Sequence, residues 1–278
     1  MGQRDRRGKG KRGNQRSKGA QRPSGGDDTI WVYGVHPVEE YLDLGGGVER
    51  LYVAKQRQVP QELMDRIERE GISHEEVELE EIEELFEQHG LRGSHQGIVL
   101  RGEVFVYGDL DEVMEGLSDR EEIVILALDQ VQDVGNLGAI LRSAAAFGVD
   151  AVLIPEHRAA SVNGAVIRAS AGQALRVAVV RVGNMTRALQ QLKQDHRCWV
   201  MGTLLAEEKS VKPWEVDLSG TRAVWIVGGE HGGIRRLVGE QCDHLVEIPM
   251  AAGVESLNVA SAASVVLYET WRQQKAGK

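Results

Sequence analysis

Three glycine-containing stretches concentrate the side chains able to bind and polarise a substrate: "DQVQDVGNLGAILRSAAAFG" at 129–148, "VGGEHGGIRRL" at 227–237 and "IPMAAGVESLN" at 248–258. The first offers Asn136 and Arg142, the second Glu230, and the third Ser256 and Asn258. Familiar covalent and metal chemistries do not fit them. Gly135 and Gly138 lack the G-x-G-x-x-G spacing of a dinucleotide turn, and no G-x-x-x-x-G-K-[ST] phosphate loop occurs. Ser256 follows Gly253 by three residues and no glycine follows it, so it is not the serine of a G-x-S-x-G elbow. With neither H-E-x-x-H nor paired C-x-x-C, nothing points to metal-assisted hydrolysis. What remains is amides, a guanidinium, a carboxylate and a hydroxyl among glycines. That set suits transfer of a group between two bound substrates, where positioning and electrostatics do the work.

Each of these residues also has a plain structural use. Asn136 can cap the helix that follows it, and Ser256 or Asn258 can cap the last helix, because their side-chain oxygens accept from free helix-start amides. Arg142 alone reads as a surface or packing arginine, and Glu230 and Glu255 as solvated carboxylates. Capping accounts for one of Ser256 and Asn258 but not for the whole cluster. The entrance of the last helix is therefore expected both to close the fold and to form one wall of a site.

The elements that must carry these loops show clearly from Ile123 onward. "IVILALD", "AVLIP", "RVAVVRV", "CWVMGT", "RAVWIVGGE" and "LVEIPM" are near-continuous apolar runs of strand length, separated by helical patterns. The helices include "LGAILRSAAAFG", one around 162–175, one from 185 to 194, "GIRRLVGEQC" and a last one from about Asn258. Such alternation specifies a parallel sheet covered by helices, with ligands bound beyond the carboxyl ends of its strands. The three polar stretches all follow strands. Residues 29–106 form a separate small α/β unit, with strands in "TIWVY" and "RLYVAK", helices in "VEEYLDLG" and "QELMDRIEREG", and a final strand in "GIVLRGEVFVY". "HEEVELEEIEELFEQHG" at 74–90 reads as a solvated helix with the apolar stripe Val77, Ile82, Leu85 and Phe86. Residues 107–122 are a polar linker in which "LDEVMEGL" can form a short helix.

Charge is distributed unevenly. Residues 1–26 hold nine Lys or Arg against one Asp, so this tail carries +8 and the rest of the chain, at an overall net charge of −9, carries −17. A Gly- and Arg-rich segment with so few apolar residues cannot fold alone, and residues 1–28 are expected to be a disordered basic tail suited to RNA phosphates. No stretch has the apolar length to cross a bilayer, and Cys198 and Cys242 lie far apart in apolar surroundings. Both cysteines are read as reduced core thiols, and the chain as cytoplasmic. His36 and His95 are polar turn residues that could meet RNA, while Arg235 and Arg236 read as exposed helix residues.

Asn136 and Arg142 in "NLGAILRSAAAFG", Gly228, Glu230 and Gly233 in "GGEHGG", and "IPMAAGVESLNVASAA" resemble the three ordered motifs of the SpoU-type RNA 2′-O-ribose methyltransferases, within the SPOUT superfamily. The resemblance covers about 123–272, and "WVYGVHPVEEYL" and "HQGIVL" are similar to the substrate-binding domain of the 23S rRNA guanosine-2′-O-methyltransferase subgroup. It implies a SPOUT-type α/β methyltransferase domain at 123–278 whose parallel sheet ends in a C-terminal trefoil knot, a small N-terminal substrate-binding domain, and a homodimer. It implies S-adenosyl-L-methionine (SAM), held by backbone groups at Thr203, Gly228, Ile248 and Leu257, where glycine lets the main chain approach a ligand closely. Arg142 becomes the catalytic residue, Asn136 and Asn258 orient RNA or loop backbone, Glu230 fixes the second loop, and Ser256 bonds near the methyl donor. The substrate implied is a guanosine of 23S rRNA or its precursor particle, with no metal and no membrane. Open alternatives are a tRNA guanosine 2′-O-methyltransferase, an rRNA adenosine 2′-O-methyltransferase conferring antibiotic resistance, and a non-catalytic RNA-binding module.

Overall fold

A computed structural model of the protein describes residues 30–204, 210–229 and 232–276. The basic tail and Glu230 lie outside the described residues. The small unit is a four-stranded sheet in the order β1-β4-β2-β3, made of β1 (Ile30–Tyr33), β2 (Val48–Ala54), β3 (Glu75–Val77) and β4 (Ile98–Gly102). Helices α1 (Val35–Asp43) and α2 (Gln61–Arg69) cover one face, and α3 (Leu79–Gln88) covers the other. The acidic segment expected as one helix is divided. Val77 belongs to β3, which pairs in parallel with β2, and the helix begins two residues later behind a capping box of Glu78 and Glu81. Ile82 remains its fully buried residue.

The large sheet has six parallel strands in the order β10-β8-β9-β5-β6-β7. They are β5 (Ile123–Asp129), β6 (Ala151–Pro155), β7 (Ala178–Val182), β8 (Trp199–Leu204), β9 (Arg222–Gly228) and β10 (His244–Glu247). Both faces are covered, which is why these strands read as apolar runs rather than as alternations. On one face lie α5 (Val134–Ala146), α6 (Gly164–Ala169) and α9 (Val259–Ala276); on the other lie α4 (Leu110–Gly116), α7 (Met185–His196) and α8 (Arg236–Gly239). Trp225, wholly buried in β9, donates its indole N–H to Thr270 of α9 at 2.8 Å, so the last helix is tied to the centre of the sheet.

Two helices are shorter than their patterns predict. The segment 162–175 is broken: α6 ends at Ala169, Ala171 and Gly172 adopt positive φ, and a separate 3₁₀ turn spans Gln173–Arg176. Gly172, at φ 79°, caps the helix by donating its amide to the Ile167 carbonyl at 2.8 Å, and a Cβ there would overlap Glu40 of the small unit. The "GIRRLVGEQC" helix is a single turn, Arg236–Gly239.

Residues 107–122 are folded onto the large unit. Gly108 bridges Val180 on the open edge of β7, and the buried Met114 of α4 joins the core beneath the large sheet. Arg181 of β7 stacks its guanidinium 3.9 Å from the Tyr107 ring and donates to its hydroxyl at 3.0 Å. The small unit is docked as firmly, because the backbone of edge strand β1 lies against the first residue of α6. A Cβ on Gly164 would overlap the Trp31 carbonyl. Glu40 accepts from Arg176 and Gln173, and one apolar cluster runs without interruption from Ile30 and Val38 to Val124 and Leu141. No helix among the described residues is long and apolar enough to cross a membrane.

Candidate active site

The carboxyl ends of the four strands β10, β8, β9 and β5 stand side by side, and the segments after β5 and β10 lead into α5 and α9, which pack on each other. The first loop enters α5. Its cap is Asp133, whose carboxylate accepts from the Asn136 amide at 2.7 Å; Asn136 sits inside the first turn with its side chain released from capping. Asn258 caps α9, since its Oδ1 accepts from the Ala260 amide at 2.9 Å while its carbonyl accepts from Ala262. That use of Oδ1 leaves the Asn258 amide nitrogen free to donate, and it donates to Oδ1 of Asn136 at 2.9 Å. Two residues separated by 122 positions thus join the entrances of α5 and α9. About two turns further on, the Ser143 and Ser264 hydroxyls meet at 2.8 Å and hold the same two helices together.

Arg142 lies on α5 one turn beyond Gly138, and helical geometry places both on one face. Gly138 packs so closely on α6 that a Cβ there would overlap Ala169. Arg142 itself is exposed and makes no hydrogen bond or ion pair with any described residue, so its charge is available to a ligand. Ser256 and Leu257 lie in the exposed segment 251–258. The capping expectation therefore resolves to Asn258, and Ser256 has no hydrogen-bond partner among the described residues.

Thr203, near the end of β8, donates its hydroxyl to the Ile226 carbonyl at 3.1 Å, a link internal to the sheet. Gly228 ends β9. The room left by its missing Cβ is taken by the chain's own backbone, because a Cβ would overlap the carbonyl of Gly233. Gly229 is equally constrained, lying against the Gln130 carbonyl with its amide donating to Asp129 at 2.8 Å. Ile248 follows β10 directly. With Leu257, Met250 and Val254 it lines a groove of about 760 Å³ along α9.

A buried ion pair underlies these loops. Asp129, at the end of β5, is fully buried; its carboxylate accepts from the Arg235 amide at 2.8 Å and from Nε at 2.8 Å, and lies 2.6 Å from Nη2. Arg235, expected as an exposed helix residue, is exposed but stands just before α8, and its guanidinium clamps the segment before α8 to the end of β5. The sequence does carry a signal for this pair: a carboxylate closing an otherwise apolar strand needs a cation if it stays charged.

The SpoU rRNA methylase family matches residues 123–268, and a family of RNA 2′-O ribose methyltransferase substrate-binding domains matches 31–103. The chain belongs to the SpoU methylase family. This SpoU protein is 40% identical over 271 residues to a protein of Mycolicibacterium vanbaalenii described as an uncharacterized tRNA/rRNA methyltransferase, covering 96% of this chain and 84% of that one. It is 38% identical over 253 residues to one of Mycobacterium avium described in the same words, covering 90% and 79%. Among solved structures, the AdoMet-bound rRNA methyltransferase of Sinorhizobium meliloti superposes with a TM-score of 0.71 at 25% identity, covering 88% of this chain and 87% of that one. The SpoU methyltransferase AviRb of Streptomyces viridochromogenes shares the fold with a TM-score of 0.73 at 23% identity, covering 90% and 91%. The protein is an RNA methyltransferase of the SpoU class.

The structure admits the cofactor of such an enzyme. Thr203, Gly228 and Ile248 come from three neighbouring strands, and their backbone groups emerge at one end of the sheet. The apolar groove along α9 shares Ile248 and Leu257 with the expected cofactor residues but is not lined by Thr203 or Gly228.

Proposed function

We propose that the protein is a cytoplasmic, SAM-dependent ribose 2′-O-methyltransferase acting on a guanosine of 23S rRNA or its precursor particle. The observation that carries this reading is the Asn136–Asn258 hydrogen bond, which brings the first and third motifs together while leaving Arg142 exposed on the same helix. The substrate-binding family matched by residues 31–103 supports the ribose 2′ oxygen as acceptor.

SAM supplies a methyl group made electrophilic by its sulfonium. Thr203, Gly228, Ile248 and Leu257 would hold its adenine and ribose through backbone groups. Arg142 acts as a fixed cation, since a guanidinium with a pKa above about 12 does not give up its proton readily. It binds the RNA phosphate beside the target and stabilises the alkoxide character that develops as the 2′ hydroxyl passes its proton to water and its oxygen bonds the methyl carbon, whose bond to sulfur breaks to leave the neutral thioether. Asn136 and Asn258 orient RNA or loop backbone, Ser256 bonds near the methyl donor, and Glu230 fixes the second loop.

Two whole-chain features belong to this reading. Strand β9 lies between β5 and β8, and after β10 the chain returns to pack α9 on α5, a path that supports the trefoil knot. The homodimer is supported by the exposed apolar residues Val265, Tyr268 and Trp271 on α9.

Transfer of labelled methyl from SAM to purified 23S rRNA and, separately, to bulk tRNA tests the proposal, with Arg142→Ala as control. Label on a 2′ oxygen of a 23S guanosine, lost in the variant, is expected. Label in tRNA would replace the substrate, label on an adenosine would replace the base, and SAM-independent RNA binding without transfer would leave a binding module.

A further inference from the structure

The body outside the tail is strongly acidic, yet one patch at the junction of its two units collects arginines without carboxylate partners. Arg57 follows β2, Arg92 lies in the loop before β4, and Arg168 belongs to α6 of the methyltransferase unit. None forms an ion pair with a described residue, and Arg57 and Arg92 are exposed. A Cβ on Gly97 would overlap that of Arg57, so Arg57 rises directly beside the end of the loop 92–97.

That loop is held in an unusual shape. Gly93 and Gly97 have positive φ, and so does Gln96 at 52°, a region most side chains avoid. Gln96 is kept there because its Oε1 accepts from the Val35 amide at 2.8 Å, filling a bond at the start of α1. His95 Nδ1 accepts from the Gly97 amide at 3.1 Å, and its ring packs edge-on against Phe86 at 5.0 Å. The neutral ring then carries its proton on Nε2. Burial, with Arg57 nearby, lowers the His95 pKa against the opposing pull of Glu83. Strained loops so fully supported recur at binding sites.

Arg168 ties this loop to the catalytic unit. Its guanidinium lies 5.0 Å from the Tyr33 ring and donates to the Arg92 carbonyl, which also accepts from the Tyr33 hydroxyl at 2.8 Å. The next residue, Ala169, packs on Gly138, one turn before Arg142. A continuous line of contacts therefore runs from the turn that presents Arg142, across α6, to the loop.

We propose that Arg57, Arg92 and Arg168, with the loop 92–97, form a composite RNA-backbone site that grips phosphates of an unpaired strand a few nucleotides from the methylated ribose. The site belongs to neither unit alone, and this is what the rigid docking of the small unit provides: a fixed distance between grip and target. Guanidinium forks suit phosphate oxygens, and the His95 Nε2–H adds a neutral donor.

This inference rests on the RNA methyltransferase reading, and its test separates the two. The full chain, its Arg57→Gln/Arg92→Gln double variant and Arg168→Gln are titrated with a short unstructured single-stranded RNA at several salt concentrations, with SAM affinity measured by calorimetry on each. We expect the double variant to bind the RNA severalfold more weakly, with the slope of log affinity against log salt smaller by about 1.4, at about 0.7 per single-strand phosphate. Its SAM affinity should be unchanged. Arg168→Gln should weaken RNA binding in the same way, and Arg168→Lys should restore part of it. If the double variant keeps the wild-type affinity and slope while the wild type still methylates RNA, the composite site is wrong and the enzyme reading stands. Failure of the wild type to bind or methylate RNA would overturn both.

Discussion

At the scale of single residues, the contact that most constrains the site is the pairing of Asp129 with Arg235. A fully buried carboxylate left without its cation costs about 3–5 kcal/mol, and because the Arg235 side of the pair is 46% exposed and admits water, the low end of that range applies. Arg235→Gln removes the cation and leaves the Asp129 carboxylate buried and unpaired. It is expected to lower the melting temperature by roughly 6–12 °C, at about 2–4 °C per kcal/mol, and to release the loop at 229–235. A thermal scan that moves by less than a degree would show that the pair contributes nothing. Asn258→Ala is a smaller perturbation, with loss of a cap worth about 1 kcal/mol. It also breaks the bond to Asn136, so methyl transfer is expected to fall by far more than stability does. Equal proportional losses would reduce Asn258 to a cap.

The same scale shows what the sequence could tell. Asn136, Arg142 and Asn258 are legible because their types and spacing match a motif. That Asp133 takes the cap, and so releases Asn136 toward Asn258, depends on a difference of three positions at a helix start that propensity alone cannot resolve. Arg235 misleads because its partner lies 106 residues away. Cys242, expected as a core thiol, is half-buried against the core beneath the large sheet, with a consequence for pH. Burial lifts its pKa to about 11, so the folded state holds the neutral thiol where the unfolded chain would ionise near about 8.5. The resulting stabilisation is present below pH ~8.5 and is lost as pH rises toward 11. Burial raises Cys198 and Tyr41 in the same direction. Melting temperature is expected to decline across this alkaline window, and more gently in Cys242→Ala; parallel curves for the two proteins would remove Cys242 as a cause.

At the scale of elements, strands were easier to read than helix ends. The six apolar runs of the large sheet stand where their patterns put them, because strands covered on both faces leave no ambiguity of register with solvent. The break after α6 is closed by Gly172, whose positive φ and amide bond to the Ile167 carbonyl cap the helix; a single glycine inside a helical pattern is too weak a signal to place such a break from sequence. Strand β3, three residues long and hidden in an acidic run, was not legible either. The decisive element contact is that of α6 with β1, an edge strand whose open backbone is covered by a helix start instead of by another strand. Gly164 makes this possible. Gly164→Val would force its side chain into the Trp31 carbonyl, and the small unit is expected to swing away while the large sheet stays folded. Chymotrypsin should then cut at Phe105 or Tyr107, which the wild type protects by packing those rings together and onto Arg181. Protection equal to that of the wild type would mean that the interface adjusts around the added methyl groups.

At the scale of the whole molecule, α9 has one face committed to the sheet and one left outward. Val266, Leu267, Ala263 and Thr270 are buried, while Val265, Tyr268 and Trp271 are 40%, 50% and 40% exposed. Their rings are ordered into a ladder, with Phe147 edge-on to Tyr268 at 5.8 Å and Tyr268 stacked on Trp271 at 6.3 Å. Beside them runs the groove lined by Trp214, Ile248, Val254 and Leu257, so the apolar surface continues from the helix to the loop that carries Ser256. A contiguous patch of this kind on a chain that is otherwise acidic calls for a cover. A second copy meeting it across a two-fold axis would bury the same residues on both sides. It would also cover the loop 251–258, whose residues are exposed in the single chain and which carries the proposed SAM contacts Ser256 and Leu257. Tyr268→Glu places a charge in the middle of that surface without touching the core. Sedimentation is expected to show a dimer for the wild type and a monomer for the variant, with SAM affinity lost alongside. A variant that is monomeric but binds SAM as well as the wild type would separate assembly from the pocket, and a monomeric wild type would overturn the dimer itself.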